Sequence, residues 1–239
     1  MRTPAILAAL LVLSAPAASL ADDSPQTLAM ELRFGFYTPD IDSEFDKGVT
    51  PYDTVFGSDS AWMFGLELDS QLWHGFGSLG AFGLTSYGYL SGHGISQDGT
   101  DSSDETTMSF LPLVAGLVYR FDVLAVRYDI PFVLVLKGGL NYTIWWIRDG
   151  VEEISEIEDA DGSTTEGSGG TFGLYGAASL HLLLDFFEPH TAKVFDNDLG
   201  VNNSYLFVEY AFQKVDDFGS DSSFDLSDSG LVFGLAFEM

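Results

Sequence analysis

The last ten residues of the chain, Gly230–Met239, read GLVFGLAFEM and predict how the chain folds. Apolar side chains occupy every second position of this segment: Leu231, Phe233, Leu235, Phe237 and Met239. The intervening positions include Gly234, Ala236 and Glu238, which are small or charged. Because successive side chains of a β-strand point to opposite faces, this segment is predicted to be a strand with one fully apolar face.

The same alternation recurs in seven segments that precede this one. They are Leu28–Phe36, Ala61–Leu72, Ser78–Leu90, Thr107–Phe121, Phe132–Arg148, Gly170–Asp185 and Asn203–Gln213. Strands of about ten residues are long enough to cross a bilayer at a tilt of about 45°. The predicted fold class is therefore all-β, an up-and-down antiparallel transmembrane β-barrel of eight strands.

The composition agrees with a barrel and argues against other classes of protein. Hydrophobic residues make up 46% of the chain, yet its formal net charge is −27, so apolar and acidic residues must lie in different places. Only nine Lys and Arg residues are present, which argues against a nucleic-acid partner because phosphate binding depends on cationic side chains. No cysteine is present, so the fold cannot rely on disulfides. A helical membrane protein is also disfavoured, because no apolar run approaches the length of a spanning helix.

The first 21 residues have the pattern of a signal peptide. Arg2 supplies a positive charge, Ala5–Leu13 is a short apolar stretch, and Ser19 and Ala21 are small residues at a cleavage site. We therefore expect residues 1–21 to be a signal peptide and residues 22–239 to form one outer-membrane barrel domain.

The connections between the predicted strands alternate between long acidic loops and turns of lower charge. The long ones are Thr38–Ser60, Ser91–Thr106, Asp149–Gly169 and Lys214–Ser229, with net charges of −5, −4, −8 and −4. The others are Trp73–Gly77, Asp122–Pro131 and Phe186–Asn202. Bacterial outer-membrane barrels have short periplasmic turns and long extracellular loops. The acidic loops are therefore predicted to be extracellular and both termini periplasmic.

Two interpretations of these acidic loops remain open. Runs of like charge are usually solvated surface. The loops could instead bind divalent cations, because Ca²⁺ and Mg²⁺ prefer oxygen ligands and could bridge the loops to the phosphates of lipopolysaccharide. Glu158–Gly162 resembles a piece of a calcium-binding loop but lacks the spacing of an EF-hand. We assign no residue as a metal ligand.

Charged and polar residues fall on the less apolar faces of the strands. They are Glu31, Arg33, Glu67, Asp69, Arg120, Lys137, Asn141, His181, Glu209 and Glu238. If the apolar faces meet lipid, these side chains point into a lumen that eight strands make just wide enough for side chains to fill. Because an unpaired buried charge is costly, Arg33, Arg120 and Lys137 are predicted to pair with the inward carboxylates.

Two further groups of residues have a structural and a functional interpretation. Trp62, Trp73, Trp145 and Trp146 lie near predicted strand ends, and we expect them to form the aromatic girdle of a membrane barrel. Ser91, His93 and Asp98 could form the site of a lipid hydrolase if their side chains came within hydrogen-bond reach. Such residues are also ordinary in loops, so no catalytic and no cofactor-binding residue is assigned.

The C-terminal segment resembles the assembly signal of outer-membrane barrels, which has glycine at the position of Gly234 and bulky apolar residues at Phe237 and Met239. Met239 departs from that signal, where phenylalanine is usual. Further segments carry a second resemblance: Glu31–Gly35, Pro51–Gly57, Phe64–Asp69, Leu117–Asp122, Leu199–Asn202 and Tyr205–Tyr210. With these segments the chain resembles a family of uncharacterised Gram-negative outer-membrane β-barrel proteins. The resemblance implies the barrel, its location in the outer membrane and the barrel assembly machinery as a partner, and it implies no activity.

The expected function is that of a non-enzymatic outer-membrane barrel with a structural or surface-interaction role. Its expected partners are outer-membrane lipids, lipopolysaccharide and divalent cations at the acidic loops. A narrow channel and a surface lipid-modifying hydrolase are alternatives. A soluble periplasmic carrier of the lipocalin type is a third, in which the apolar faces would turn inward. Alternation alone does not distinguish inside from outside, whereas the signal peptide, the last strand and the unequal loops favour the membrane barrel.

Overall fold

The computed structural model describes residues 27–46, 48–57, 59–95, 101–128, 130–150, 153–158, 164–188, 200–220 and 223–239. The predicted signal peptide, residues 1–21, lies outside this part of the chain. The strands are β1 Leu28–Tyr37, β2 Ala61–Gly75, β3 Gly77–Ile95, β4 Asp101–Phe121, β5 Phe132–Arg148, β6 Glu156–Glu158, β7 Thr164–Glu166, β8 Ser168–Leu183, β9 Asn203–Val215 and β10 Asp228–Glu238. The helices are a 3₁₀ turn at Ile41–Glu44, α1 at Pro51–Phe56 and α2 at Val123–Tyr128.

Eight of these strands form one closed barrel, in the order β1-β2-β3-β4-β5-β8-β9-β10 and back to β1. Every neighbouring pair is antiparallel. The last strand closes the barrel against the first, with Phe233 opposite Phe34 and Glu238 opposite Ala29. The predicted eight-stranded up-and-down barrel is therefore confirmed, and pairing between the terminal strands leaves the sheet without an open edge.

The two faces of the barrel wall differ in polarity. Apolar side chains on the outside are strongly exposed, including Phe64 at 63% and Leu140 at 60%. Charged side chains on the inside are almost fully buried, including Glu67 at 1% and Lys137 at 6%. An apolar exterior around a polar interior is the arrangement of a membrane-spanning barrel. It is the reverse of the lipocalin arrangement, and the soluble-carrier alternative is therefore wrong about which face is inside.

The structure contains more strand than the sequence predicted, in one hairpin and in one acidic loop. The hairpin of β3 and β4 continues to Ile95 and Asp101, beyond the predicted ends at Leu90 and Thr107. The third acidic loop contains the small β6–β7 ribbon, a second sheet separate from the barrel. Alternation did not indicate these extensions, because loop sequences rich in Asp, Gly and Ser weaken the strand pattern.

Short helices occur where the sequence predicted only loops. In the first acidic loop the carboxylate of Asp42 accepts hydrogen bonds from the backbone N–H groups of Tyr52 and Asp53, at 2.7 and 3.0 Å. These are N–H groups that the first turn of a helix leaves without partners, and Pro51 at the start of α1 needs none. Residues 189–199 of the predicted Phe186–Asn202 turn lie outside the described part of the chain. Among the described residues, no helix has the length and hydropathy needed to cross a membrane.

Candidate functional site: the barrel lumen and its apolar cap

The middle of the lumen holds a network of buried ion pairs. The guanidinium group of Arg33 on β1 lies 2.9 Å from Glu31, 2.8 Å from Glu67 and in contact with Glu209. The ammonium group of Lys137 on β5 lies 2.6, 2.7 and 3.2 Å from the carboxylates of the same three residues. Three carboxylates thus share two cations, which offsets the cost of burying each charge.

A further ion pair adjoins this network. Arg120 on β4 pairs with Asp69 on β2 and lies 3.5 Å from Glu31. The predicted pairing of Arg33, Arg120 and Lys137 with inward carboxylates is therefore confirmed. We call these seven residues the ionic cluster: Glu31, Arg33, Glu67, Asp69, Arg120, Lys137 and Glu209.

Small residues in the barrel wall make room for the ionic cluster. Arg33 is opposite Gly65 on β2 and Gly234 on β10. A Cβ atom on Gly234 would lie 2.6 Å from the Phe207 ring and 2.0 Å from the backbone oxygen of Leu32. That ring lies beneath the cluster, 5.8 Å from the Arg33 guanidinium and 5.9 Å from the Lys137 ammonium. Packing in the lumen therefore requires glycine at position 234, independently of the predicted assembly signal.

The remaining inward polar residues are held in the same lumen. The His181 ring stacks on Phe207 with 4.9 Å between ring centroids, and its Nε2 atom lies 3.0 Å from the Ser179 hydroxyl. Asn141 donates a hydrogen bond of 2.9 Å to Gln213. At the end of the barrel that holds the chain termini, the carboxylate of Glu238 accepts hydrogen bonds from Tyr205 and Asn203, at 2.8 and 2.9 Å. All ten residues that the sequence predicted to point inward therefore lie inside the barrel.

Three carboxylates of the ionic cluster are close enough together to be considered as a metal site. Oxygen atoms of Glu31, Glu67 and Asp69 lie within 4.8 Å of one another. The same groups already contact Lys137, Arg33 and Arg120. A divalent ion would have to approach these three cationic side chains at close range, so the residues do not fit a divalent metal.

The mouth of the lumen on the side of the long acidic loops is closed by an apolar cap. The cap consists of Ile41, Tyr52, Phe56 and Leu226, which pack with the strand residues Tyr37, Ala61, Leu90, Met108, Phe110 and Val215. The Tyr37 hydroxyl donates a hydrogen bond of 2.7 Å to the backbone oxygen of Leu226, which joins β1 to the last loop. Sequence reasoning missed the cap, although the apolar residues of Pro51–Phe56 inside an acidic loop were a signal that could have revealed it.

Not all four tryptophans lie in the predicted aromatic girdle on the outside of the barrel. Trp62 and Trp73 are about half exposed on the outside, at 56% and 51%, as the predicted girdle requires. Trp146 stacks with Tyr87, with 6.2 Å between ring centroids. The prediction was wrong for Trp145, which packs against Phe224 beneath the cap with 4.7 Å between ring centroids. Alternation explains the difference, because Trp145 and Trp146 are adjacent in one strand and must point to opposite faces.

The candidate hydrolase residues are not brought together in the described part of the chain. The Ser91 hydroxyl lies 3.2 Å from the Thr107 hydroxyl, its partner across the β3–β4 hairpin. His93 is opposite Glu105 in the same hairpin. Asp98 lies outside the described residues. Ser91 and His93 are exposed on the wall of a hairpin, not gathered in a cleft.

Part of the acidic charge of the loops serves to hold the loops in place. Asp42 caps α1, and Asp217 accepts a hydrogen bond of 2.8 Å from the backbone N–H of Phe172. Asp225 accepts one of 2.8 Å from the Lys214 ammonium. Burial raises the pKa of the Asp225 carboxyl, but hydrogen bonds from Lys214 and Ser227 outweigh it and hold that pKa below its ordinary value. The segment Glu158–Gly162, which resembles part of a calcium loop, has Asp159–Gly162 outside the described residues.

Comparison with protein-family models and with curated proteins gives no match. Among solved structures, the outer membrane protein OprG from Pseudomonas aeruginosa is similar, with 14% identity, a TM-score of 0.49 and coverage of 91% of this chain and 97% of that one. Ail, the attachment invasion locus protein of Yersinia pestis, has 12% identity, a TM-score of 0.40 and coverage of 89% and 97%. No activity follows from likenesses of this kind. The apolar exterior, the eight barrel strands and the polar lumen of the chain itself make it an outer-membrane β-barrel.

Proposed function

We propose that this protein is a non-enzymatic, non-conducting outer-membrane barrel that displays its acidic loops at the cell surface. One observation carries the proposal. In the strand order β5 lies diametrically opposite β1, yet the ammonium group of Lys137 on β5 lies 2.6 Å from the carboxylate of Glu31 on β1. A bridge of this length across the whole lumen leaves little room for ions to pass.

The cap adds a second barrier above the ionic cluster. Ions entering from the extracellular side would first meet the apolar side chains of the cap and then the paired charges below it. Eight-stranded barrels are in general filled by their own side chains. These features favour a closed structural or surface-interaction role over the narrow-channel alternative.

Conductance in a planar lipid bilayer tests the closed lumen. We expect the reconstituted protein to give no discrete conductance steps. A variant that lacks residues 41–56, and with them part of the cap, should remain closed because the ionic cluster lies below the cap. Reproducible unitary steps from the intact protein would overturn the proposal and revive the channel.

The absence of cysteine from the chain allows a direct test of which side the loops face. Asp53→Cys places a thiol on the exposed surface of α1, and Glu188→Cys places one in the exposed turn between β8 and β9. A maleimide that cannot cross membranes should label Asp53→Cys on intact cells. It should label Glu188→Cys only after the outer membrane is permeabilised. The reverse pattern would contradict the proposed orientation.

The proposed partners follow from the same orientation. Exposed acids on the first loop, including Glu44, Asp46 and Asp53, would lie beside anionic lipopolysaccharide and would repel its phosphates unless Mg²⁺ or Ca²⁺ bridged them. The barrel assembly machinery is the proposed partner during biogenesis, through the last strand. If the loops take part in bridging, chelation of divalent cations should increase the labelling rate of Asp53→Cys on intact cells.

A further inference from the structure

The extracellular cap contains an apolar pocket that the closed-barrel function does not require. The pocket has a volume of about 170 Å³ and lies between the 3₁₀ turn, α1, the upper ends of β4 and β5 and the last loop. Among its lining residues are Phe45, Tyr52, Val55, Phe56, Met108 and Phe224. An apolar cavity of about 150 Å³ is large enough to hold a benzene ring. The pocket can therefore hold a ring or a branched alkyl group of similar size.

The pocket is lined by aromatic rings and is accessible from the extracellular side. Phe45 is 41% exposed, whereas Tyr52 and Phe56 are buried and their ring centroids are 5.4 Å apart. The faces of aromatic rings attract cations within about 6 Å, and groups of such rings are used to recognise quaternary ammonium ligands. The lining thus suits a positively charged group as well as an apolar one.

Several residues that line the pocket have acidic neighbours in the sequence, and we call these acids the acidic rim. Glu44 and Asp46 flank Phe45, Asp53 follows Tyr52, and Glu105 precedes Thr106, which also lines the pocket. All four acids are exposed. Arg148, which follows the lining residue Ile147, and Lys47 are the neighbouring cations in the sequence, so acids outnumber cations in these segments of the chain. A neutral ligand would use only the apolar interior, and an anion would be repelled.

We propose that this pocket binds a small organic cation, with a ring-sized apolar group among the aromatic side chains and an ammonium group at the acidic rim. The inference rests on the proposed display of the loops at the cell surface and names the class of ligand that they meet. Binding of such a ligand also explains why a strongly acidic loop contains an apolar pocket, since a loop that is only solvated surface would not need a pocket.

The test measures binding to the full barrel in lipid nanodiscs by calorimetry, with empty nanodiscs subtracted. The probe is benzyltrimethylammonium, and its neutral isostere is neopentylbenzene, in which carbon replaces the charged nitrogen. We expect the cation to bind with a measurable Kd and the isostere to bind more weakly. Equal affinity for the two would overturn the role of charge, and failure of the cation to bind would overturn the proposal.

Matched variants locate the site. Val55→Trp should fill the pocket and abolish binding, whereas Val49→Trp, at a 52% exposed position of the same loop, should leave it unchanged. The double variant Glu44→Gln, Asp46→Asn should raise Kd by about two- to fivefold, as expected when exposed charge pairs are removed. Glu188→Gln in the β8–β9 turn is its control. Heat-modifiable mobility on gels shows that each variant has folded.

These outcomes are separable from those of the proposed function. If the wild-type protein does not bind the cation, the proposed ligand site is wrong. The closed barrel and its orientation are unaffected by that outcome, since conductance and labelling do not depend on a ligand. Binding that persists in Val55→Trp would place the site elsewhere and also overturn this proposal. Labelling of Asp53→Cys from the periplasmic side would overturn the surface display, while binding to the purified protein would stand.

Discussion

The middle of the lumen and its mouth on the side of the long loops are both closed, but by opposite kinds of chemistry. In the middle, Lys137 on β5 forms a short ion pair with Glu31 on the opposite wall, and Arg33 pairs with carboxylates on β1, β2 and β9. At the mouth, Tyr52, Phe56 and Leu226 form an apolar cap. The ionic cluster belongs to the strands themselves, whereas most of the cap belongs to loops. The difference indicates that the cluster stabilises the barrel and that the cap can vary without loss of the barrel.

The largest expected effect comes from Arg33→Met. The substitution leaves Glu31, Glu67 and Glu209 with Lys137 as their shared cation. Breaking a buried ion pair in this way lowers the free energy of unfolding by about 3–5 kcal/mol. Denaturant unfolding, followed by heat-modifiable gel mobility, measures the loss. Arg148→Met, at an exposed position, should change the free energy of unfolding by less than about 0.5 kcal/mol. Equal stability of the two variants would show that the cluster does not hold the barrel together.

Leu226→Ala should weaken the cap while leaving the barrel closed. Leu226 is fully buried. Truncating a buried leucine lowers the free energy of unfolding of the cooperative unit that contains it by about 2–5 kcal/mol. If that unit is the cap, amide hydrogen exchange should accelerate in residues 41–56 while unfolding of the barrel is unchanged. Val49→Ala, at an exposed position of the same loop, is the control. A matching loss of barrel stability would mean that cap and cluster form one cooperative unit.

Gly234→Ala tests whether the lumen needs this glycine for packing. The added methyl group would press against the Phe207 ring and the Leu32 backbone, and overpacking of this kind costs about 1–3 kcal/mol. Gly176→Ala is the control, because a Cβ atom there would meet only the Lys137 backbone oxygen, at 3.9 Å. The comparison should be made on protein refolded in vitro, which removes any effect on cellular assembly. Unchanged stability of the refolded variant would leave assembly as the reason for glycine.

The smallest expected effect concerns the pH dependence of the last acidic loop. The pKa of Asp225 is lower in the folded protein than its ordinary value, so its pairing with Lys214 contributes above that ordinary value and is lost as the pH falls through the folded pKa. Because the Lys214 side chain is 47% exposed, the pair contributes only about 0.2–1 kcal/mol. Amide exchange of Ser227, whose N–H is bonded to Asp225, should therefore accelerate in acid. The same acid dependence in Asp225→Asn would show that another group is responsible.

Much of the ionic cluster was predictable from the sequence. Charged residues such as Arg33, Lys137 and Glu209 stand at strand positions whose neighbours are apolar, and a two-residue period then assigns them all to one face. The narrow lumen of eight strands requires those charges to pair. The identity of the partners was not predictable, because it depends on which strands face each other across the lumen and on the register between neighbours.

The sequence by itself determined the barrel, its strand number and which residues share a face, because a period of two is a local property of each segment. The tertiary structure alone decided how Lys137 meets Glu31 from the opposite wall and that Trp145 packs against Phe224 beneath the cap. It also decided that part of an acidic loop folds back as Tyr52 and Phe56 over the mouth. These features depend on contacts between residues far apart in the chain, which no local pattern specifies.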